Sequence, residues 1–182
     1  MTEFLQAPEQ DVAISCRVRL ARNYRDLPFS VKQTRENADE VIARAREAME
    51  VLGGEDVYRL IRISDLEDDN RRALVEHYLI SYDLLKFASR SAAMISSGET
   101  VSIMLNEEDH IRLQVIKEGL SLKEAYKTAS YLDDVLSEHL ELAFSERLGY
   151  LTQCPTNLGT AMRASVMLHL PALTISGDLE RL

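Results

Sequence analysis

Hydrophobic and polar side chains alternate in the first patterned stretch of the chain, residues 12–19, which reads VAISCRVR. A period of two residues is typical of a β-strand that buries one face. Ile14, Cys16 and Val18 would lie on the buried face. Arg17 and Arg19 would then point together from the opposite face, two residues apart along the strand.

Two stretches in the first half of the chain favour α-helices. Apolar residues recur every three or four positions over residues 34–52, and Gly53 follows directly, as at many helix ends. Further along, Ser64 and Glu67 match a capping box, in which each side chain bonds the backbone of the other residue. We therefore expect a second helix from Ser64 to about Leu79.

The clearest helical pattern begins at Ser121. Ser121 and Glu124 again match a capping box, and an apolar stripe at helical spacing continues to Phe144. Gly149 follows this stripe, and glycine commonly ends a helix. The pattern predicts a long amphipathic helix with one face on the core.

Short strand-like runs complete the pattern. They cover residues 57–63, 91–96, 100–105, 110–116, 148–153 and 162–170, and the sequence SSGE between two of them indicates a hairpin turn. Strands and helices follow in mixed order, without regular βαβ alternation. The expected fold class is therefore α+β, with a largely antiparallel β-sheet flanked by helices. We expect one domain over residues 12–182, after a flexible N-terminal arm at residues 1–11.

Net charge, hydropathy and cysteine positions exclude several classes of function. The 182 residues carry 21 Lys and Arg against 30 Asp and Glu, a net charge of −9, so general binding to nucleic-acid backbones is not expected. No apolar run approaches the roughly 18 residues of a membrane span, and no signal-peptide pattern is present. Cys16 and Cys154 lie far apart and outside any CxxC motif. We expect a cytoplasmic protein with reduced thiols and no membrane partner.

Polar residues of the first strand are candidates for anion binding. Ser15, Arg17 and Arg19 would share one strand face. Two guanidinium groups on one rigid face match phosphate oxygens as bidentate donors. A solvated strand face with salt bridges is the alternative that these residues by themselves leave open.

Consecutive carboxylates mark the segment NEEDHIR, residues 106–112. Glu107, Glu108 and Asp109 repel one another, which raises the pKa of one of them and suits a general base. An acidic surface turn is the alternative. No second cluster with ligand spacing supports a divalent-metal site, so no metal ligand is assigned.

A turn-forming segment, CPTNLGTAMR at residues 154–163, carries a thiol at one end and an arginine at the other. Its Pro, Asn and Gly residues favour a fixed turn that presents Cys154 and Arg163. A thiol near cations has a lowered pKa and becomes more reactive. A structural turn with a buried cysteine is the alternative.

Taken together, these segments resemble a known family. NEEDHIR and CPTNLGT are similar to the two signature segments of the ATP:guanidino phosphotransferases, the creatine and arginine kinase family. SCRVRLARN, residues 15–23, resembles the first phosphate-binding strand of that family, and the resemblance runs from about residue 12 to residue 171. RLARN, SIMLNEEDHIRLQ and RASVMLHLPAL look most like the bacterial protein-arginine kinases of the McsB type. Those enzymes phosphorylate arginine side chains and so mark proteins for degradation in stress responses.

The resemblance implies a role for each matching residue. Glu108 resembles the general base that takes a proton from the guanidinium, Asp109 the second carboxylate, and Cys154 the thiolate beside the acceptor nitrogen. The implied ATP-binding residues lie in the first strand, one helix end and two arginine-containing segments; they are Ser15, Cys16, Arg17, Val18, Arg19, His77, Arg112, Arg163, Ala164, Ser165, Val166 and Met167.

The resemblance also implies cofactors and partners. ATP with Mg²⁺ would supply the phosphoryl group, and proteins with exposed arginines would accept it. Further implied partners are an McsA-type activator, a CtsR-type repressor and a ClpC-type unfoldase. Self-association through an open sheet edge is a further expectation.

Some positions depart from the family pattern. Cys16 stands where the family has a second serine, Ala161 where it has a glycine, and Tyr82 where it has a proline. The family's RGxxGE loop does not occur in the 182 residues, so we expect an incomplete catalytic domain with little turnover by itself. A regulatory domain that binds a nucleotide or a partner, and a kinase for small guanidino compounds, are the alternatives to a protein-arginine kinase.

Overall fold

A six-stranded sheet forms the centre of the structure, a computed structural model that describes residues 12–53 and 57–181. The strand order is β2-β3-β4-β5-β1-β8, and every neighbouring pair is antiparallel. The strands are β1 (Ala13–Arg22), β2 (Tyr58–Arg62), β3 (Ala92–Ser96), β4 (Val101–Leu105), β5 (Ile111–Glu118) and β8 (Met162–Leu168); β6 (Phe144–Ser145) and β7 (Gly149–Tyr150) form a separate small hairpin. The expected arm at residues 1–11 lies outside the described residues.

Five α-helices accompany the sheet in the described part of the chain. They are α1 (Arg35–Met49), α2 (Asp68–Glu76), α3 (Tyr82–Lys86), α4 (Leu122–His139) and α5 (Pro171–Ser176). The α+β class with an antiparallel sheet is confirmed. None of these helices is long and apolar enough to cross a membrane.

The two faces of the sheet are covered differently. Helices α1 and α4 cover one face, and their apolar stripes pack on the inward side chains of the central strands. On the other face, a smaller cluster including Ile63, Leu79, Leu84 and Met104 covers only the β2–β4 side. The opposite face of β5, β1 and β8 is left for polar side chains, and this is the part of the fold that positions the candidate site.

Strand β1 confirms the predicted alternation of buried and exposed side chains from Ser15 onwards. Cys16 and Val18 are buried, and Arg17 and Arg19 lie on the other face. A register shift between Ala13 and Ser15 reverses the order before that point, so Ala13 is buried and Ile14 is exposed. The prediction that Ile14 faces the core was therefore wrong, because a bulge adds one residue to the strand.

Both predicted capping boxes were wrong, although both helices exist. Helix α2 begins after Glu67, and Ser64 lies in a short 3₁₀ turn where its hydroxyl donates to Asp65. The Ser121 hydroxyl donates to the Glu118 carbonyl and caps nothing in α4. The box that does form was not predicted: Thr34 and Asn37 cap α1 reciprocally.

Helix α4 is shorter than its apolar stripe. It ends at His139, and Phe144 lies in β6 with its ring exposed. The chain leaves the helix here because its backbone pairs with the segment after β1, where the Arg25 amide donates to the Glu141 carbonyl at 2.9 Å. Gly149 lies in β7 and does not end the helix.

Candidate active site

Strand register brings four arginines to the uncovered face of the sheet. Arg19 lies directly opposite Arg163 across β1 and β8, and Arg112 lies opposite Ala21 across β5 and β1. Directly opposed residues of an antiparallel pair point to the same face, and so do residues two apart on one strand. One face of the sheet therefore carries Arg17, Arg19, Arg112 and Arg163, although these residues are far apart in the sequence.

These guanidinium groups perturb one another. Burial, followed by the charges of Arg17, Arg112 and Arg163, lowers the pKa of Arg19 to about 10. The pKa of Arg17 is lowered for the same two reasons, burial first and then Arg112 and Arg163. Both groups remain cationic at neutral pH. Within the described residues, the buried Nε of Arg19 has no hydrogen-bond partner, and the charge of the cluster is of the kind that suits an anion.

A buried carboxylate holds one arginine of this cluster. Glu107 is 1% exposed and accepts hydrogen bonds from the Ser81 hydroxyl and from Nη1 of Arg112. Ser81 precedes α3, and its hydroxyl also accepts from the Leu84 amide and caps that helix. Glu107 thus fixes the orientation of Arg112 and neutralises part of its charge.

The turn between β4 and β5 presents Glu108. Asn106 takes a left-handed φ of 60°, and its side-chain amide donates to the carbonyls of Ala38 and Arg90. Glu108 is partly buried, and its pKa is raised by burial and by the neighbouring charge of Asp109, against the opposing effect of Arg112. A carboxylate with a raised pKa is a better proton acceptor than an ordinary glutamate at the same pH.

Asp109 is almost fully buried beside Glu108. Its Oδ1 accepts from Nδ2 of Asn23 at 2.6 Å and from the amide of Gln153 at 2.8 Å. The carboxylate run predicted from the sequence is thus divided among different environments. All three residues line a common cavity, but Glu107 binds an arginine and Asp109 links two loops, whereas no hydrogen bond of the Glu108 carboxylate is seen among the described residues.

The segment after β7 presents Cys154. Pro155 begins a 3₁₀ turn, and the Cys154 sulfur lies 3.0 Å from the Thr156 hydroxyl oxygen. A cavity of about 170 Å³ lies between this turn and the turn that carries Glu108. Its lining includes Arg19, Glu108, Arg112, Cys154 and Arg163.

Arg22 connects the end of the segment that carries Cys154 to helix α4. Its Nε and Nη2 bind both carboxylate oxygens of Asp133 in α4 at 2.7 and 2.6 Å, and its Nη1 donates to the Thr160 carbonyl at 3.2 Å. The guanidinium also lies 3.5 Å above the ring of Tyr150. A buried arginine therefore joins β1, α4 and the end of this segment.

Some predicted ATP-binding residues lie away from this face. The side chains of Cys16 and Val18 point into the core, and Val166 packs against the same core. Ala164 lies opposite Val18 and so shares the face that the helices cover, whereas Ser165 lies opposite Arg17 on the arginine face. Only alternate residues of each predicted run can contact a ligand through their side chains, because side chains alternate across a strand.

Two residues at the arginine face were missed by sequence reasoning. Gln114 accepts from Arg17 at 3.4 Å and donates to the Tyr78 carbonyl at 2.7 Å. Tyr78 has a left-handed φ of 59° and raises the pKa of Arg17 electrostatically, whereas the predicted His77 lies 3.4 Å from the exposed Glu99. The period of two along β5 could have revealed Gln114, since it lies two residues after Arg112.

The side chains that commonly bind metal ions are His, Cys, Asp and Glu. Within residues 12–53 and 57–181, no group of three or more His, Cys, Asp or Glu side chains is arranged to hold a metal ion. The cationic cluster suits a polyphosphate, which carries its own Mg²⁺.

Comparison with known proteins identifies the family. Residues 40–182 match the family model for the ATP:guanido phosphotransferase C-terminal catalytic domain. The match covers most of the chain, which therefore belongs to the ATP:guanido phosphotransferase family.

Curated relatives match nearly the whole of this chain but are themselves about twice as long. A protein-arginine kinase of Clostridium novyi is 44% identical over 174 residues, which make up 95% of this chain and 51% of that protein. A protein-arginine kinase of Pelotomaculum thermopropionicum is 48% identical and covers 94% of this chain and 49% of its own length. The chain thus spans about half the length of the curated relatives it matches.

Solved structures have the same fold. The duplicated taurocyamine kinase of Schistosoma mansoni, with bound transition-state analogue components, matches 92% of this chain and 25% of its own at a TM-score of 0.80 and 31% identity. A lombricine kinase matches 94% of this chain and 52% of its own at a TM-score of 0.79 and 26% identity. Both are guanidino kinases by name, which agrees with the fold class.

Proposed function

We propose that this chain carries the ATP-binding arginines and the general base of a protein-arginine kinase. One observation carries the proposal: Glu108, Cys154 and three of the four clustered arginines line the same cavity. The curated relatives named protein-arginine kinase support the choice of acceptor. Residues 12–182 are proposed to form the N-terminal portion of the catalytic domain, and the protein is proposed to act in the cytoplasm.

The arrangement suits phosphoryl transfer to a guanidinium. The arginine cluster binds the phosphates of Mg²⁺–ATP and neutralises the charge that develops on the transferred group. A guanidinium is cationic and a poor nucleophile, because its pKa lies above about 12. Glu108 takes one N–H proton as that nitrogen bonds to the γ-phosphorus and the bond from phosphorus to the ADP oxygen breaks.

Cys154 and the strand residues are proposed to orient the two substrates. Cys154 lines the cavity from the side opposite β1 and lies beside the nitrogen that accepts the phosphoryl group. Ser15, Ser165 and Met167 extend the arginine face along β1 and β8 and contact the nucleotide. Tyr78 acts electrostatically on Arg17, whereas the expected His77 lies 3.4 Å from Glu99, so Tyr78 is the better candidate there.

An open groove beside Glu108 favours a protein acceptor. Glu108 and Arg112 also line a second cavity of about 820 Å³, together with Val31, Asp83 and Phe87. Its size and open form suit a polypeptide segment that brings its arginine to Glu108 from the side away from Arg19. Proposed partners are unfolded proteins, an McsA-type activator, a CtsR-type repressor and a ClpC-type unfoldase in a stress response.

The test is detection of phosphoarginine on an unfolded basic protein incubated with Mg²⁺–ATP. We would assay this chain by itself and with the C-terminal half of a curated relative added in trans, with free arginine as the competing acceptor. Phosphoarginine on the protein supports the proposal, and its loss in Glu108→Gln assigns the chemistry to this site. Phosphorylation of free arginine only would favour a small-guanidine kinase. ATP binding without any transfer in either mixture would favour the regulatory alternative.

A further inference from the structure

Asn23 connects the two loops that carry the reactive side chains. It follows the last residue of β1, and its side chain is 1% exposed. Its Oδ1 accepts from the His110 amide at 2.9 Å, and its Nδ2 donates to Asp109 Oδ1 at 2.6 Å and to the Leu151 carbonyl at 3.0 Å. Both amide hydrogens and one oxygen lone pair are therefore used.

Asp109 completes the connection. The oxygen that accepts from Asn23 also accepts from the Gln153 amide at 2.8 Å. Asp109 follows Glu108 in the chain, and Gln153 precedes Cys154. We call Asn23, Asp109 and the backbone of residues 151–153 the asparagine clamp. Each reactive side chain is thus one residue away from a member of the clamp.

The partners allow only an amide at position 23. The His110 amide requires an acceptor, whereas the Asp109 carboxylate and the Leu151 carbonyl require donors. An aspartate at this position would set a second carboxylate against Asp109. An apolar residue would leave buried polar groups without partners, which is costly in a nearly water-free site.

Asp109 lines the cavity shared by Glu108 and Cys154, whereas Asn23 lies behind it. Asn23 does not line the cavity shared by Glu108 and Cys154, so its side chain does not compete for a ligand there. Its carbonyl is also held, because it accepts from the Ala143 amide at 2.7 Å. The asparagine is thus fixed to the small hairpin as well as to both loops.

We infer that Asn23 is a positioning residue that sets the distance and orientation of Glu108 relative to Cys154. The inference rests on the proposed function, in which these two side chains flank the guanidinium that accepts the phosphoryl group. A proton acceptor and an orienting group act on one nitrogen only while their separation is fixed. Misplacement by about 1 Å is enough to lower a rate roughly 10²-fold.

The first test uses Cys154 as a reporter that needs no turnover. Cys16 is buried in the core, so alkylation of the folded chain by iodoacetamide reports on Cys154. In Asn23→Ala, we expect the rate of this alkylation at fixed pH to change about fivefold, equivalent to one hydrogen bond lost by the loop that carries Cys154. Asn37→Ala is the matched control, since it removes the side-chain hydrogen bonds that Asn37 Oδ1 accepts from Thr34 at the start of α1, in a different part of the fold.

The second test separates positioning from binding. For Asn23→Ala we expect phosphoarginine formation to fall about 10²-fold while the Kd for Mg²⁺–ATP stays within about twofold. A folded Asn23→Ala variant with parental alkylation and parental turnover would overturn the inference. Equal losses of turnover and ATP affinity would also overturn it.

A charge exchange keeps the inference testable if Asn23→Ala does not fold. Asn23→Asp places two carboxylates against each other, and the double variant Asn23→Asp/Asp109→Asn restores one donor and one acceptor across the pair. The double variant leaves the Leu151 carbonyl without its donor, so partial recovery of the parental alkylation rate, or of folding, relative to Asn23→Asp supports the clamp, and no recovery overturns it. Absence of phosphorylation by the parent would count against the proposed function only, because alkylation still decides the role of Asn23.

Discussion

Arg19 lies directly opposite Arg163 across the antiparallel pair of β1 and β8, with both side chains on the uncovered face of the sheet. Two guanidinium groups in this position repel each other, and the lowered pKa of Arg19 records that repulsion after the larger effect of burial. Such a pair is unfavourable by itself. It becomes favourable when a polyanion lies between the two groups and replaces the water that they have lost.

Removal of one arginine from the cluster should weaken nucleotide binding. We expect Arg163→Ala and Arg112→Ala each to raise the Kd for Mg²⁺–ATP by roughly 10- to 100-fold, as for loss of a charged hydrogen bond. Lysine at either position should restore binding only in part, since it lacks the planar fork that binds two oxygens. Calorimetric titration checks this, with Arg181→Ala as the control because Arg181 is exposed and pairs with Asp178. If both alanine variants bind Mg²⁺–ATP with the parental affinity, Arg112 and Arg163 are not part of the nucleotide site.

Glu108 should govern transfer and leave nucleotide binding intact. We expect Glu108→Gln to lower the rate of phosphoarginine formation by about 10²- to 10⁴-fold, since the base is lost and the cationic cluster is retained. Glu138→Gln, at an exposed position of α4, is the control. A Glu108→Gln variant within a few-fold of parental turnover would show that another group accepts the proton.

The Glu108 carboxyl should also determine how kcat depends on pH. Burial and Asp109 raise the pKa of Glu108, so it takes up a proton at a higher pH than an ordinary glutamate. The base form is therefore lost as the pH falls, and the acid limb of the kcat profile should lie above the ordinary glutamate range. In Asp109→Asn, the raising effect of the neighbouring charge is removed, and the acid limb should move to lower pH. An acid limb that does not move would mean that a different group is titrated.

Replacement of Ala161 by glycine should stabilise the protein. It has a left-handed φ of 49°, where a side chain with a Cβ is strained, and its carbonyl accepts from the Ala21 amide at 2.9 Å. We expect Ala161→Gly to raise the free energy of unfolding by about 1 kcal/mol. Urea denaturation measures this, and Ala43→Gly, at an exposed position within α1, should instead lower the free energy of unfolding by about 1 kcal/mol. A loss of stability in Ala161→Gly would contradict the strained backbone.

Gly149 should not tolerate a side chain. It has a φ of 75°, and a Cβ at this position would clash with the Gly159 carbonyl oxygen and the rest of that backbone. Because Gly159 belongs to the segment that presents Cys154, Gly149→Ala should both destabilise the protein by about 1–3 kcal/mol and change the alkylation rate of Cys154. Gly98→Ala is the control, since a Cβ there meets nothing within 4 Å. Parental stability in Gly149→Ala would contradict the close backbone contact.

The sequence by itself determined the elements with a clear period and the chemistry of the site. The alternation in residues 16–19 placed Cys16 and Val18 inside and two arginines outside, and the stripe in residues 125–136 placed α4 on the core. These patterns are reliable because one face of each element must be buried, and burial selects apolar residues at a fixed spacing. The segments around Glu108 and Cys154 indicated the family in the same local way, since each motif is continuous in the chain.

Only the tertiary structure decided how these segments meet. The ends of α2 and α4 differ from the sequence expectation because backbone groups found partners in distant segments, as when Arg25 pairs with Glu141. The bulge before Ser15 moved Ile14 to the exposed face through the pairing of β1 with β8. Antiparallel register, which depends on every strand of the sheet, brought Arg112 and Arg163 beside β1. Asn23 had no distinguishing pattern in the sequence, because its role lies in hydrogen bonds to residues 86 to 128 positions away.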